Sequence, residues 1–408
     1  MTTPLDGKHI VLGITGSIAA YKGVELASKL AQAGALVETV LTPDATRFVA
    51  PLTFQSVTGQ PAYTDSDLWG SQAHVLHVGL ARRAELLTVA PATAQTLACL
   101  AQGFAGNLLT LTALAASCPM LLAPAMDAGM FAHPATQANL RQLQERGAIV
   151  VGPEEGRLAS GLVGRGRMTE PLDLVGHIRY HLSRGGPLHG RTVVVTTGGT
   201  QEPLDPVRVL TNRSSGKQGL ALTQAALDAG AEVILIAAPV ALPIPPCIRH
   251  IPVQTASEMA EAVLSACQDA DVLLMAAAVA DFRPAHAAQQ KLKKDRGLPV
   301  LALEPTPDIL ASVARQREAV GKPEVVVGFA AETENLMENA QAKVRAKALD
   351  LIVANDITMS DAGFAVDTNR VTFIGADGQA EALPLLSKTE VAARVVEHVI
   401  ARLSAKGA

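Results

Sequence analysis

Short β-branched runs alternate with Ala-rich helical stretches along the chain, and this alternation restricts the fold more than any other feature. In the first half, runs of strand length fall near His9–Ile14, Leu36–Leu41, Glu85–Ala90, Met120–Ala123 and Ala148–Val151. In the second half they fall near Thr192–Thr197, Glu232–Ala237, Val272–Ala276, Val325–Phe329, Leu351–Ala354 and Val371–Ile374. Helical patterns such as Ala19–Ala33 and Gln218–Ala229 occupy most of the intervals. Strands joined through helices require right-handed crossovers, so the pattern predicts an α/β chain with doubly wound, mostly parallel sheets. Ligands in such folds sit outside the carboxyl ends of the strands. The residues just after each strand are therefore the ones to read for chemistry.

The two halves begin alike. Lys8-HIVLGITG and Arg191-TVVVTTGG each place a basic residue before an apolar strand and a Gly turn. Between them, Ser183-RGGPLHG follows an amphipathic helix predicted over Pro171–Leu182. A Gly-rich segment at that point predicts two domains, 1–184 and 185–408.

Charge and cysteine usage narrow the partners. Lys and Arg number 34 against 38 Asp and Glu, a net charge of -4, which lacks the basic surface of a general nucleic-acid binder. From Leu86 to Met126 no Asp, Glu, Lys, Arg or His occurs. Pro91, Gly103, Gly106, Asn107, Pro119 and Pro124 cut this stretch, so it falls short of the roughly 20 unbroken apolar residues of a membrane span. It reads instead as buried strand–helix–strand. The first residues, MTTPLDGKHI, lack the charged-then-apolar order of a signal peptide. Cys99, Cys118, Cys247 and Cys267 show neither C-x-x-C spacing nor a paired His motif, and read as free thiols in a reducing cytoplasm. No residue set identifies metal ligands.

The strand ends exclude two common nucleotide sites. Gly13-ITGSIAA and Gly198-GTQEP do not fit G-x-G-x-x-G, and Thr211 and Gln218 break the phosphate-loop pattern around Gly216-Lys217. What remains is general: a Gly turn opening a helix presents backbone N–H groups to an anion.

Six segments of the first half together resemble the flavin-dependent cysteine decarboxylase family, in the order and spacing of phosphopantothenoylcysteine decarboxylase. They are Gly13-ITGSIAAYK, Thr42-PDATRFV, His77-VGLARRAE, Ala90-PATAQT, Pro124-AMDAGMF and Gly156-RLASGLVGRGRM. The resemblance implies an FMN cofactor that serves as electron sink while the substrate's cysteine carboxylate leaves as CO₂. Gly13, Thr15, Gly16 and Ser17 suit the flavin phosphate, Thr42 adds a hydroxyl, and Pro91, Thr93 and Ala94 let a flat ring approach the backbone. His77 corresponds to the family's essential histidine, an imidazole able to accept or relay the thiol proton. His74 nearby is expected to matter less. Two positions depart from the pattern. Asp127 stands where the family commonly has Asn, and Ser160 where its flap commonly has Cys. An ionised Asp repels a substrate carboxylate that an amide would hold, and a hydroxyl is a far weaker acid than a thiol. Two readings follow: a coherent variant of the same catalytic site, or an active ligase joined to an impaired or scaffold-only flavin domain.

The second half resembles phosphopantothenate–cysteine ligase. The segments are Thr197-GGTQEPLDPVRVLTNRSSGKQG, Ala276-AAVADFRP, Lys291-LKK, Thr306-PDIL, Val327-GFAAET, Lys343-VRAK, Ala354-ND and Gly363-FAVDTNRV. Together the halves resemble the bifunctional bacterial enzymes of coenzyme A synthesis. The resemblance implies CTP as co-substrate, Mg²⁺, and the small molecules 4′-phosphopantothenate and L-cysteine. It assigns Met275, Ala276, Ala277, Asp281, Lys291, Thr306, Pro307, Asp308, Ile309, Phe329, Lys343 and Lys347 to the nucleotide. Lys343 and Lys347 are four apart and share a helix face. Thr306 replaces a common Asn. Asn212 corresponds to the residue that holds the acyl intermediate, and Ser214, Ser215 and Gly216 suit the pantothenate phosphate. A trimer is implied for the first domain and a dimer for the second, hence a homo-oligomer.

Overall fold

The computed structural model describes residues 3–69, 75–293, 300–332, 336–356 and 367–406. His74, Lys294 at the end of the Lys291 run, and residues 363–366 of the last motif lie outside them. The chain divides into two compact units, Met1–Leu182 and Ser183–Ala408.

The first unit has strands β1 (His9–Ile14), β2 (Leu36–Leu41), β3 (Ala62–Tyr63), β4 (Leu86–Ala92), β5 (Met120–Pro124) and β6 (Ile149–Val150). They form one sheet in the order β3-β2-β1-β4-β5-β6, and every pairing is parallel. Val and Leu dominate these strands because helices cover both faces; every residue of β4 is buried. The uncharged stretch from Leu86 to Met126 resolves into β4, helices Ala94–Gln102 and Leu108–Ala115, and β5. Thr93 caps the first helix by accepting from the Thr96 N–H, and Asn107 opens the second with a reciprocal capping box. An antiparallel hairpin, β7 (Glu154–Arg157) and β8 (Val163–Arg167), follows the sheet.

The second unit is larger. In chain order its strands are β9 (Thr192–Thr197), β10 (Gln201–Pro203), β11 (Val209–Thr211), β12 (Glu232–Ala237), β13 (Arg249–Pro252), β14 (Val272–Met275), β15 (Phe282–Pro284), β16 (Leu303–Pro305), β17 (Val325–Glu332), β18 (Leu351–Asp356), β19 (Thr368–Asn369), β20 (Val371–Gly375), β21 (Ala380–Ala382) and β22 (Leu386–Ser387). The main sheet runs β13-β12-β9-β14-β17-β18-β20-β21. It is parallel through β18, after which β20 and β21 add an antiparallel edge. Both units are thus doubly wound α/β folds with mostly parallel sheets. Among the described residues, no helix is long and apolar enough to cross a membrane.

Close backbone approach holds the helix Lys217–Asp228 on β9. A Cβ on Gly219 would lie 2.4 Å from Thr197 Cβ and 2.9 Å from the Thr196 carbonyl oxygen. Gly219→Val therefore forces helix and strand apart. It is expected to destabilise the second unit by about 2–3 kcal/mol, read as a lowered second transition in scanning calorimetry; an unchanged transition would contradict this packing.

Candidate active sites

A cleft of about 890 Å³ opens at the carboxyl ends of β1, β2, β4 and β5, within the roughly 300–1,000 Å³ range of small-molecule sites. Its walls come from the turns that follow those strands. Gly16 and Ser17 follow β1, Thr42 follows β2, Thr93 and Ala94 follow β4, and Asp127 follows β5; Ser160 closes it from the hairpin tip. Two helices, Ala20–Gln32 and Ala94–Gln102, begin at this rim, so N–H groups and positive helix ends converge there. The Thr15 hydroxyl ties two turns together, donating to the Pro91 carbonyl at 2.7 Å and accepting from the Thr93 N–H at 3.1 Å. Thr15 is buried and Gly13 and Pro91 lie within strands, so these three support the cleft from behind. A Cβ on Gly13 would meet the Leu109 side chain at 2.5 Å.

His77 does not stand among these wall residues. It lies on helix Leu76–Arg83, which packs against helix Leu108–Ala115 and β1, and it does not line the cleft of its own chain. Its Nδ1 is buried without a hydrogen-bond partner. No cysteine lines either cleft among the described residues. Burial pushes the Cys267 thiol up to about 12 and the Cys247 thiol up to about 11, far from thiolate chemistry near neutral pH.

Asp127 and Ser160 meet. The Ser160 hydroxyl donates to Asp127 Oδ2 at 2.7 Å, and the Gly129 N–H donates to Oδ1 at 2.9 Å. These bonds, the Ser160 hydroxyl first, hold the carboxyl below the usual range, so it is ionised at neutral pH.

The second cleft, about 600 Å³, lies at the carboxyl ends of β9, β14, β17 and β18. Asn212, Met275, Ala276, Ala277, Asp281, Thr306, Pro307, Asp308, Ile309, Phe329, Lys343 and Lys347 all line it. The Asn212 side-chain amide donates to the Val279 carbonyl at 3.0 Å and the Ala278 carbonyl at 3.4 Å, joining two rim loops. Thr306 donates to the Ala280 carbonyl at 2.5 Å, a bond that the Asn common at this position would also offer. Asp308 caps helix Ile309–Val320 and pairs with Lys347 at 3.3 Å.

Lys291 is not part of this wall. It is exposed, and the chain beside it is tied to a different loop. The Leu292 N–H donates to Asp205 Oδ2 at 3.1 Å, and Arg208 donates to the Leu292 carbonyl at 2.6 Å. Two lysines that the sequence reading did not assign line the cleft instead. Lys217 opens helix Lys217–Asp228 beside the Ser214–Gly216 turn and pairs with Asp367 at 2.5 Å. Lys388 opens helix Lys388–Lys406 and is only 6% exposed. Burial, with the Lys217 charge next in weight, pushes the Lys388 ammonium below its ordinary value. No local pattern marks Lys388, because 171 positions separate it from Lys217 and only the fold joins them.

Two mostly parallel α/β units, each with a cleft at the carboxyl ends of its strands, make a two-domain α/β protein with a separate cleft in each domain. Residues 1–183 match the Flavoprotein family, and residues 188–403 match the DNA/pantothenate metabolism flavoprotein C-terminal domain. The chain is 43% identical over 400 residues to the coenzyme A biosynthesis bifunctional protein CoaBC of Bacillus subtilis, covering 97% of this chain and 98% of the relative. It is 44% identical to the protein of that name from Vibrio cholerae, covering 97% and 98%, and 42% identical to that from Mycobacterium tuberculosis, covering 97% of each. The chain belongs to this family of bifunctional coenzyme A biosynthesis proteins.

Proposed function

We propose that the second unit joins 4′-phosphopantothenate to L-cysteine with CTP, and that the first unit removes CO₂ from the product to give 4′-phosphopantetheine. The observation that carries this reading is the meeting of Asn212, Asp281, Lys343, Lys347 and the Ser214–Gly216 turn around one cleft. In the ligation, a carboxylate oxygen of phosphopantothenate attacks the α-phosphorus of CTP and pyrophosphate leaves. The cysteine amine then attacks the acyl carbon and CMP leaves. Both stages crowd anions together, so they need fixed cations and donors that are in place before the charge develops. Lys343 and Lys347 supply charge on one side, and Lys217 and Lys388 on the side of the phosphate-binding turn. Mg²⁺ would be held here mainly by phosphate oxygens and water, because both Asp308 oxygens are already engaged by the Ala311 N–H and Lys347.

The first cleft fits FMN by its volume, its two helix N-termini and its small-residue walls. Gly16, Ser17, Thr42, Thr93 and Ala94 would hold it. Bound there, FMN supplies the electron acceptor that makes carboxylate loss easy. His77 would serve as base from a neighbouring copy, in a homo-oligomer whose flavin lies near a subunit interface. Four free cysteines suit the reducing cytoplasm as the place of action.

A coupled assay with phosphopantothenate, cysteine and CTP, following pyrophosphate and CO₂ together, tests the whole reading. Equal amounts of both are expected from a yellow protein with extractable FMN. Pyrophosphate without CO₂, or a colourless protein, would remove the first activity.

The Lys388 environment sets a pH dependence. Its folded pKa is depressed below 10.5, so its charge is lost at a lower pH than that of an ordinary lysine. Ligase kcat/KM is expected to fall on the alkaline side below pH 10.5, and Lys388→Arg should move that limb upward. A pH profile with the same alkaline limb in both proteins would exclude this role.

A further inference from the structure

We propose that Asp127 and Ser160 form a latch that fixes the tip of the β7–β8 hairpin over the first cleft, and that they act as one positioning unit. The proposal rests on the reading of this cleft as the flavin and substrate site. The two residues are 33 apart in sequence and belong to different elements, one in the loop after β5 and one at the hairpin tip. That two cleft-lining residues so far apart in the chain meet in one hydrogen bond is the observation behind the inference.

The chemistry of the pair is matched. A carboxylate is an acceptor with two oxygens; here one takes the Gly129 N–H and the other takes the Ser160 hydroxyl. A thiol at position 160 would be a poor donor to that carboxylate, and an amide at position 127 would offer only one acceptor oxygen. Each replacement therefore makes the other useful. With both oxygens engaged and the group ionised, Asp127 is committed to the hairpin and is the wrong charge to receive a substrate carboxylate.

The hairpin needs such a fastening. Its base is held tightly: the Met126 N–H donates to the Gly166 carbonyl at 3.0 Å, and a Cβ on Gly166 would lie 2.2 Å from the Met126 carbonyl oxygen. The tip makes a compact turn of its own, with Leu158 N–H donating to the Leu162 carbonyl at 2.8 Å and Gly161 N–H to the Leu158 carbonyl at 2.9 Å. Among the described residues, the Ser160–Asp127 bond is the one hydrogen bond that ties residues 158–162 to another element. Leu158, Ala159 and Ser160 line the cleft, so the tip forms part of its wall.

The test uses the full chain with its bound flavin and the variants Ser160→Ala, Asp127→Ala, the double variant and Asp127→Asn. Two readouts are followed: iodide quenching of flavin fluorescence, and the rate of trypsin cleavage at Arg157, Arg165 and Arg167 in the hairpin. Each alanine variant is expected to raise both by about threefold, the scale of an exposed charge-assisted contact, and the double variant no further than either single. Asp127→Asn should fall between the unaltered protein and Asp127→Ala, because its single acceptor oxygen must serve both the Gly129 N–H and the Ser160 hydroxyl. Asp127 also caps helix Ala128–Ala132, so Ser160→Ala, which leaves that cap intact, guards against a folding artefact. Unchanged quenching and cleavage in Ser160→Ala, or effects that multiply in the double variant, would overturn the latch. A protein that binds no flavin would defeat the reading of the cleft instead, and the cleavage rates would still decide the latch.

Discussion

Asn212→Asp is expected to cut pyrophosphate release by about a hundredfold or more, while CO₂ release from supplied phosphopantothenoylcysteine continues at the rate of the unaltered protein. The side-chain amide donates to the carbonyls of Val279 and Ala278. A carboxylate of the same size cannot donate, so it faces two carbonyl oxygens and the rim loops separate. It also adds a negative charge to a cleft that, in the proposed reaction, gathers a triphosphate and a phosphorylated acid. Removal of one pre-positioned donor toward developing charge typically costs about 10²–10³ in rate, and here repulsion is added to it. The measurement is a pyrophosphate-coupled assay beside a CO₂ assay on the same preparation. Loss of both activities would mean that the two clefts are not independent.

His77→Asn should produce the opposite pattern, with decarboxylation lowered by about 10²–10⁴-fold, the range of general acid–base catalysis, and ligation intact. The location of His77 makes a sharper experiment available. Since it does not line its own chain's cleft, a chain with a damaged cleft can still lend its histidine. Gly16→Leu damages the cleft directly, because a Cβ there would lie 2.4 Å from Asp44 Cβ. Each variant alone should be inactive in decarboxylation, and mixed oligomers of the two should recover part of it. Failure of the mixture to recover, with oligomers formed, would remove His77 from the role of a shared base.

The main strands were legible because a parallel sheet covered on both faces leaves long apolar runs. β1, β2, β9 and β12 span the residues expected from the sequence alone. The short strands were not legible. β10, β11, β15 and β16 have three residues each, and all but β11 include Pro with Arg or Glu; they pair as two short antiparallel ladders that no long apolar run announces. The same contrast holds at the clefts. Residues just after long strands, such as Ser17, Thr42 and Ala277, line the walls, since topology alone brings strand ends together. Lys291 looked like one of a cluster of lysines, yet its segment is fastened at Asp205 and Arg208. Lys388 and the Asp127–Ser160 bond escaped notice because only the folded chain puts their partners beside them.

Lys217 and Lys388 each stand at the first turn of a helix, where the aligned peptide dipoles already place partial positive charge. One of the two is also almost wholly withdrawn from water. Two positive side chains thus stand beside positive helix ends in the second unit, with the Asp367 carboxylate paired to Lys217. An anion that binds between these helix ends in the folded state alone would raise the stability of this half of the molecule in proportion to its occupancy.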